Sequence, residues 1–423
     1  SLRAGEETVQ RLLSFGISRQ LAAKDGRRAV DFAAAAGRWN IVALIDPEYP
    51  RPAHLQADKA IDAVDASAGH LLDALRFGHW QIVETFAGDV HAWPQQTLAR
   101  LYGELVAHPD AAPRRWLLNH GLDANSSFDG VPLLQHALLQ LPAMLAAARD
   151  LIDAGAQPSG GDVLTQICVA AMNGDIPPPE LEAFALRVLE SGAEAFRADG
   201  GGRTPLTLAL ANGWLRLCDS LLARGADVRV CDRRGRTPLF AALSAPGPAR
   251  EELIKSLLRA GADPEVRAAN NESPLGLALA RGQANLQRWL NWPGWKLPCR
   301  PLRAGDMIAA ASAGDAEAVG KLLELELPVD AVDGYGATAL LHAAGRGYAD
   351  VAALLLERGA NPAHAAKDGS TALSAAVAAR QWAVMDLLIG RGVEIDQRLA
   401  GGGTTLMAAA GRGDAESVGI LLA

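Results

Sequence analysis

Gly334-Tyr335-Gly336, followed by Ala339, comes close to the glycine pattern that lets a backbone approach a dinucleotide pyrophosphate. That chemistry needs a hydrophobic strand leading into the first glycine, and none precedes it. Gly314 to Lys321 has the outline of a phosphate loop, but its glycine spacing is wrong. Leu322 also stands where a Ser or Thr hydroxyl would have to meet a metal ion. His54, His70, His79, His91, His108, His120, His136 and His364 include no pair at the helical spacing that chelates zinc. No residue pattern sets an activated nucleophile beside a base. The expectation is a non-enzymatic chain with no cofactor and no metal site.

Cys168, Cys218, Cys231 and Cys299 are scattered, with no Cys-x-x-Cys pair. Neither a disulfide framework nor a zinc site is indicated. Cys168 and Cys218 fall on helical positions and read as small buried apolar residues. Residues 1–200 hold 16 Lys plus Arg against 25 Asp plus Glu, a balance of −9, whereas residues 201–423 hold 24 against 23. A dedicated nucleic-acid binder would be basic, so none is expected. The longest charge-free run, Val131 to Ala148, contains Gln135, His136, Gln140 and two prolines, and does not read as a membrane span. The Arg, Ala and Gly usage suggests a bacterial gene. No compartment is fixed, the cytoplasm being the favoured reading.

What could position any binding residue is a phrase that returns along the chain. It reads Thr204-Pro205-Leu206, Thr237-Pro238-Leu239, Ser273-Pro274-Leu275, Thr338-Ala339-Leu340, Thr371-Ala372-Leu373 and Thr404-Thr405-Leu406. The steps 204 to 237, 338 to 371 and 371 to 404 are each 33 residues. Thr or Ser before Pro starts a helix, because the hydroxyl caps and Pro at the first position loses no bond. A glycine nine residues after the Thr (Gly213, Gly282, Gly347, Gly413) allows a tight turn into a second helix. That helix carries a Leu-Leu pair and closes at Gly225, Gly261 or Gly359. No such unit can bury its apolar face alone, so the units must stack.

The period and the phrase resemble the ankyrin repeat. The same register runs backwards in weaker form through Arg28 to Gly37, Gly69 to Gly78, Thr97 to Asn125, Val131-Pro132-Leu133 and Thr165 to Gly174, and it includes Gly305 to Gly314. The resemblance implies an all-α solenoid of about 12 helix-turn-helix units with protruding hairpin tips, degenerate before about residue 197. Both chain ends read as incomplete units, so the chain is expected to be a fragment of a larger protein.

Three stretches break the period: Asp46 to Asp65 with its prolines, the Pro triplet at Ile176 to Pro179, and Arg288 to Leu302. The last carries Trp289, Trp292 and Trp295 and divides the chain into expected sub-stacks 1–296 and 297–423. The tryptophans read either as a core plug at a kink or as an aromatic docking site. Trp39, Trp80, Trp214, Tyr348 and Trp382 share a position after the mid-repeat turn, where packing between units is the expected role.

The resemblance also implies where a partner would bind. Variable surface positions lie four, three and one before the Thr, on the tips, and seven and eight after it, on the first helix. They select Arg203, then Arg233, Arg234 and Arg236, then Asn270 and Arg281, then Tyr335 and Arg346, then Lys367, and finally Arg412. Arg229 joins the tip arginines, while Arg281, Arg346 and Arg412 form an interrupted stripe. Two readings stand: solvated charges with packed stems, or guanidinium forks that grip an acidic protein segment. The function implied is a protein-interaction scaffold. The alternative is a targeting or regulatory module of a larger effector or membrane-associated enzyme whose catalytic part lies elsewhere.

Overall fold

The computed structural model describes residues 6–24, 26–35, 38–46, 49, 63–141, 144–158, 162–173, 178–397, 399 and 401–423. They fall into two compact units, residues 1–93 and 94–423. The boundary expected at 296/297 lies within the second unit.

In the first unit, helix Glu6–Ser14 precedes the pairs Ala29–Ala35 with Trp39–Ile45 and Ala63–Arg76 with Trp80–Thr85. Val9, Val30, Ala33, Ile41, Val42 and Ile45 form one core there. Ala63–Arg76 begins inside the stretch read as an insertion; residues 47, 48 and 50–62 of that stretch lie outside the described residues, as does Gly37.

Residues 94–423 repeat a two-helix plan. The earlier pairs are Gln95–Leu105 with Ala112–Asn119, Leu133–Leu138 with Leu145–Asp153, and Val163–Asn173 with Pro178–Glu190. Of the Pro triplet, Pro178 and Pro179 sit in the first turn of a helix, where their missing N–H groups would be unpaired anyway; 174–177 lie outside the described residues. Pro205–Asn212 with Leu215–Ala223 and Pro238–Ala242 with Ala249–Arg259 follow. After the short Pro274–Ala280 and Gln287–Leu290 come Ala304–Ser312 with Ala316–Glu324 and Ala339–Arg346 with Ala349–Glu357. Ala372–Ala378 with Trp382–Gly390 and Thr405–Gly411 with Ala415–Leu422 complete the series.

First helices pack on first helices and second helices on second helices, giving two layers. Ala339, Ala343 and Ala344 are buried in the first layer, where their small side chains permit close approach. Leu217, Leu221, Leu257 and Leu355 fill the space between layers. Each such leucine contributes about 1.5–3 kcal/mol through burial. Among the described residues the sole paired strands are Ser127–Phe128 and Val131–Pro132, antiparallel with Ser127 opposite Pro132. They use the Val131-Pro132 part of a stretch read as first helix, which therefore starts at Leu133.

The recurring hydroxyl does cap. The Thr204, Ser273, Thr338, Thr371 and Thr404 side chains accept the N–H three residues on, at 3.0–3.3 Å. Thr371 also receives a reciprocal bond, its own N–H donating to Ser374 Oγ at 2.8 Å. Thr237 departs from the pattern: its buried hydroxyl has no partner. Thr371→Ala should therefore cost about 1 kcal/mol, whereas Thr237→Ala should cost much less. Urea unfolding of the two variants checks this; equal losses would show that the capping bond is not what matters.

Two turns hold a side chain where glycine is favoured. Arg380 closes its first helix at φ +56, and Glu326 closes a second helix at φ +64. A side chain at such φ carries a steric cost that glycine avoids.

The interruption at Arg288 to Leu302 packs inward. Trp289 and Trp292 are buried and Trp295 is half-buried. The Trp289 indole N–H donates to Glu251 Oε1 (2.9 Å), and that of Trp292 to the Trp289 carbonyl (2.9 Å). Lys255 and Arg288 flank the Trp289 ring, and Lys321 Nζ lies 4.8 Å from the Trp292 ring centre. Burial of two of the three indoles supports the plug reading over the docking one.

Candidate interaction surface

Within residues 94–423, six tips share one hairpin geometry: Asp199–Arg203, Asp232–Arg236, Ala268–Glu272, Asp333–Ala337, Ala366–Ser370 and Leu399–Gly403. In each, the first residue's N–H donates to the fifth residue's carbonyl, at 2.8–3.0 Å. The fourth residue's N–H returns to the first residue's carbonyl. This closes a loop whose fourth residue has positive φ, from Asn271 at +62 to Gly202 at +80. Asp199, Asp232 and Asp333 fasten their tips further. One carboxylate oxygen of each accepts two backbone N–H groups at 2.8–2.9 Å. Sequence reasoning missed these three residues, although an Asp five before the Thr was a visible signal.

The tips are also tied to one another. Ala269 N–H donates to the Arg234 carbonyl (2.9 Å), and Lys367 N–H donates to the Tyr335 carbonyl (3.0 Å). The equivalent side chains repeat the link, the Arg233 guanidinium donating to the Gly200 carbonyl and Lys367 Nζ to the Gly334 carbonyl. Arg236 pairs with Glu272 of the next tip at 3.0 Å. His342 Nε2 lies 2.8 Å from Asp333 Oδ2. That hydrogen bond, with the Ala337 and Tyr335 N–H groups, holds the Asp333 carboxyl below its ordinary value.

The sequence-selected residues thus divide. Arg203 is paired within its own tip to Asp199 at 2.7 Å, and Asn270 Oδ1 accepts the Glu272 N–H. Arg281 donates to the Leu243 carbonyl and to Ser244 Oγ, and Arg346 to the Ser312 carbonyl. Asn212 does the same to the Cys168 carbonyl at 2.8 Å. Residues at this repeat position clamp the preceding unit's first helix; Arg281 and Arg346 satisfy a carbonyl at its C-terminal end, whereas Asn212 meets one in mid-helix. Arg412 is exposed beside Asp414, whose carboxyl lies below its ordinary value mainly because of the Ser417 hydroxyl, with Arg380 and Arg412 adding to it. Among the described residues the Arg234 guanidinium meets no partner, and Tyr335 is 81 % exposed on its tip. The clamping by Arg281 and Arg346 could not be read from one sequence, because their carbonyl partners carry no side-chain signal.

The aromatics after the mid-repeat turn occupy two positions rather than one. Trp214 and Tyr348 precede the second helix, whereas Trp39, Trp80 and Trp382 are its first residues. Trp214 is buried, and the Tyr348 ring lies against Gly314, where a Cβ would come within 2.9 Å of it. Tyr348 therefore packs between units. Cys168 and Cys218 are buried, which pushes their thiols up, while Cys231 and Cys299 are exposed. Among the described residues no His, Cys, Asp and Glu cluster could hold a metal ion, and no helix is long and apolar enough to cross a membrane.

Comparison with known proteins gives sequence matches to ankyrin repeats over part of the chain. A family model of ankyrin repeats, three copies, matches residues 167–268 and 307–399. The human "Ankyrin repeat and SOCS box protein 16" is 34% identical over 140 residues, covering 30% of this chain and 31% of that protein. The mouse "B-cell lymphoma 3 protein homolog" is 32% identical over 126 residues, covering 30% of this chain and 26% of that protein. A "Putative ankyrin repeat-containing protein" of Treponema pallidum is 35% identical over 103 residues, covering 24% of this chain and 34% of its own length. The chain thus spans about a third or less of the relatives it matches. Two of these three are mammalian, so they do not support the bacterial origin expected from composition. The chain is all-α and carries ankyrin repeats, in the blocks 167–268 and 307–399.

Proposed function

We propose that this chain is a protein-interaction scaffold, without catalysis of its own, that takes a partner along its hairpin tips and first helices. The observation that carries the reading is the set of bonds between neighbouring tips. They fix the tip backbones before any partner arrives, which lowers the ordering cost of binding. Arg234 and Tyr335 project from that fixed frame with their side chains unengaged. Arg233, Arg234 and Lys367 have no carboxylate partner among the described residues. An acidic protein segment is the partner chemistry that suits them. Arg203, Arg236, Asn270, Arg281, Arg346 and Arg412 frame the same surface.

The test begins with a partner captured by the intact protein and identified by mass spectrometry. Calorimetry should then show Arg233, Arg234 and Arg236, all changed to Ala, weakening binding by about 1.5–3 kcal/mol for each desolvated guanidinium–carboxylate bond removed. Affinity should also fall as salt rises. Arg234→Ala alone is the cleaner variant, because an exposed side chain without a partner moves stability by no more than about 0.5 kcal/mol. Unchanged affinity in both variants would return these arginines to the solvated surface.

The second reading is a targeting or regulatory module of a larger protein. A catalytic or membrane domain in the same reading frame would decide for it.

A further inference from the structure

In a repeat stack each unit is coupled to its immediate neighbours. The unit built on Pro274–Ala280 should then be the weak joint of residues 94–423. Its second helix is a 3-10 turn of 3 residues, Ala284–Leu286, running into the 4-residue Gln287–Leu290, where the flanking second helices have 11 and 9 residues. Gly276 also sits inside its first helix, where glycine is unfavourable.

Several bonds skip this unit altogether. Arg259 Nη1 reaches Glu326 Oε2 at 2.7 Å, across 67 residues, or two repeat lengths. Glu326 is the residue that closes its helix at φ +64 in place of glycine, and its carboxylate is what meets Arg259. Leu302 N–H donates to the Arg259 carbonyl at 2.9 Å. The Arg300 backbone lies directly on Gly261, where a Cβ would come within 2.2 Å of the Arg300 carbonyl carbon. Lys296 pairs with Glu265 on the same side.

The opposite flank holds the same segment. Trp295 N–H donates to Asp315 Oδ2 at 2.6 Å, and Lys321 Nζ to the Asn291 carbonyl at 2.8 Å. The Arg300 guanidinium grips both oxygens of Asp306, at 2.7 and 2.9 Å. Burial opposes ionisation of that carboxyl, yet Arg300 and the Arg303 N–H hold it below its ordinary value.

We infer that residues 291–303 are a splint. They couple helix Ala249–Arg259 directly to helices Ala304–Ser312 and Ala316–Glu324, so the two flanks open together while Pro274–Ala280 opens by itself. A stack with nearest-neighbour coupling alone cannot behave in this way, since its flanks communicate only through the unit between them.

Hydrogen exchange of the full chain in rising urea, read by mass spectrometry, tests the splint. Peptides from Ala249–Arg259 and Ala316–Glu324 should share one opening with one urea dependence. Peptides from Pro274–Ala280 should exchange at least about tenfold faster than either. In Gly261→Ala the added methyl displaces Arg300, and the two flanks should separate by at least about tenfold. Should that variant not fold, Lys321→Met, which releases the Asn291 carbonyl, takes its place with the same expectation. Separate openings of the flanks in the unaltered protein would overturn the inference. So would flanks that stay merged when the splint is loosened, or a middle unit protected as well as its neighbours.

Discussion

Asp150→Ala should destabilise the protein by about 3–5 kcal/mol, the loss typical of a buried charge stripped of its partner. Arg114 and Asp150 are 1 % and 4 % exposed, with Arg114 Nε 3.3 Å from Asp150 Oδ2. Arg114 Nη1 donates to the Leu105, His108 and Asp110 carbonyls, at and just beyond the end of the preceding helix. Removing the carboxylate leaves that cation in the interior with carbonyl dipoles alone. Arg115 cannot relieve the defect, because it bonds the same carboxylate from an exposed position and loses it too. Urea unfolding should give the loss directly, and adding Arg114→Met should recover much of it, since an apolar pair can replace a buried ion pair. A loss under about 1 kcal/mol would mean that water reaches Arg114.

Trp292→Ala should cost a similar amount, about 3–5 kcal/mol. The ring is buried between Lys321 and Trp295, and its N–H is satisfied inside the protein. Truncation would leave a cavity and an orphaned Trp289 carbonyl. Trp295→Ala should cost less, because that ring is half-buried. A docking tryptophan waiting for a partner would behave oppositely, its loss moving stability by about 0.5 kcal/mol or less. Denaturant midpoints of the two variants distinguish the plug from the docking site.

The repeating architecture was legible because it rests on local chemistry: a capping hydroxyl, proline at the first helical position and glycine at the turn, all repeated at one spacing. Where a single letter deviates, the local rule fails. Thr237 looks like every other cap, yet its hydroxyl bonds nothing. Arg380 and Glu326 hold positive φ where glycine is favoured, their side chains paired with Asp414 and Arg259. The aromatic residues after the turn looked equivalent until a one-residue offset separated Trp214 and Tyr348 from Trp80 and Trp382. Arg114 and Asp150 lie 36 residues apart, and neither carries a local mark of burial. The candidate site was legible as a set of positions and not as a set of roles. Arg281 and Arg346 bond carbonyls of the preceding unit, whereas Arg234 and Tyr335 leave their side chains open.

A hydrogen-exchange footprint of the partner on the intact protein tests the interaction claim most directly. With the captured partner bound, slowed exchange should concentrate in tip peptides spanning 199–203, 232–236, 268–272 and 333–337 and in the first helices that follow them. The second-helix layer, Leu215–Ala223 and Ala349–Glu357 included, should be unchanged. Protection confined to that second layer, with the tips exchanging as they do in the free protein, would contradict the account.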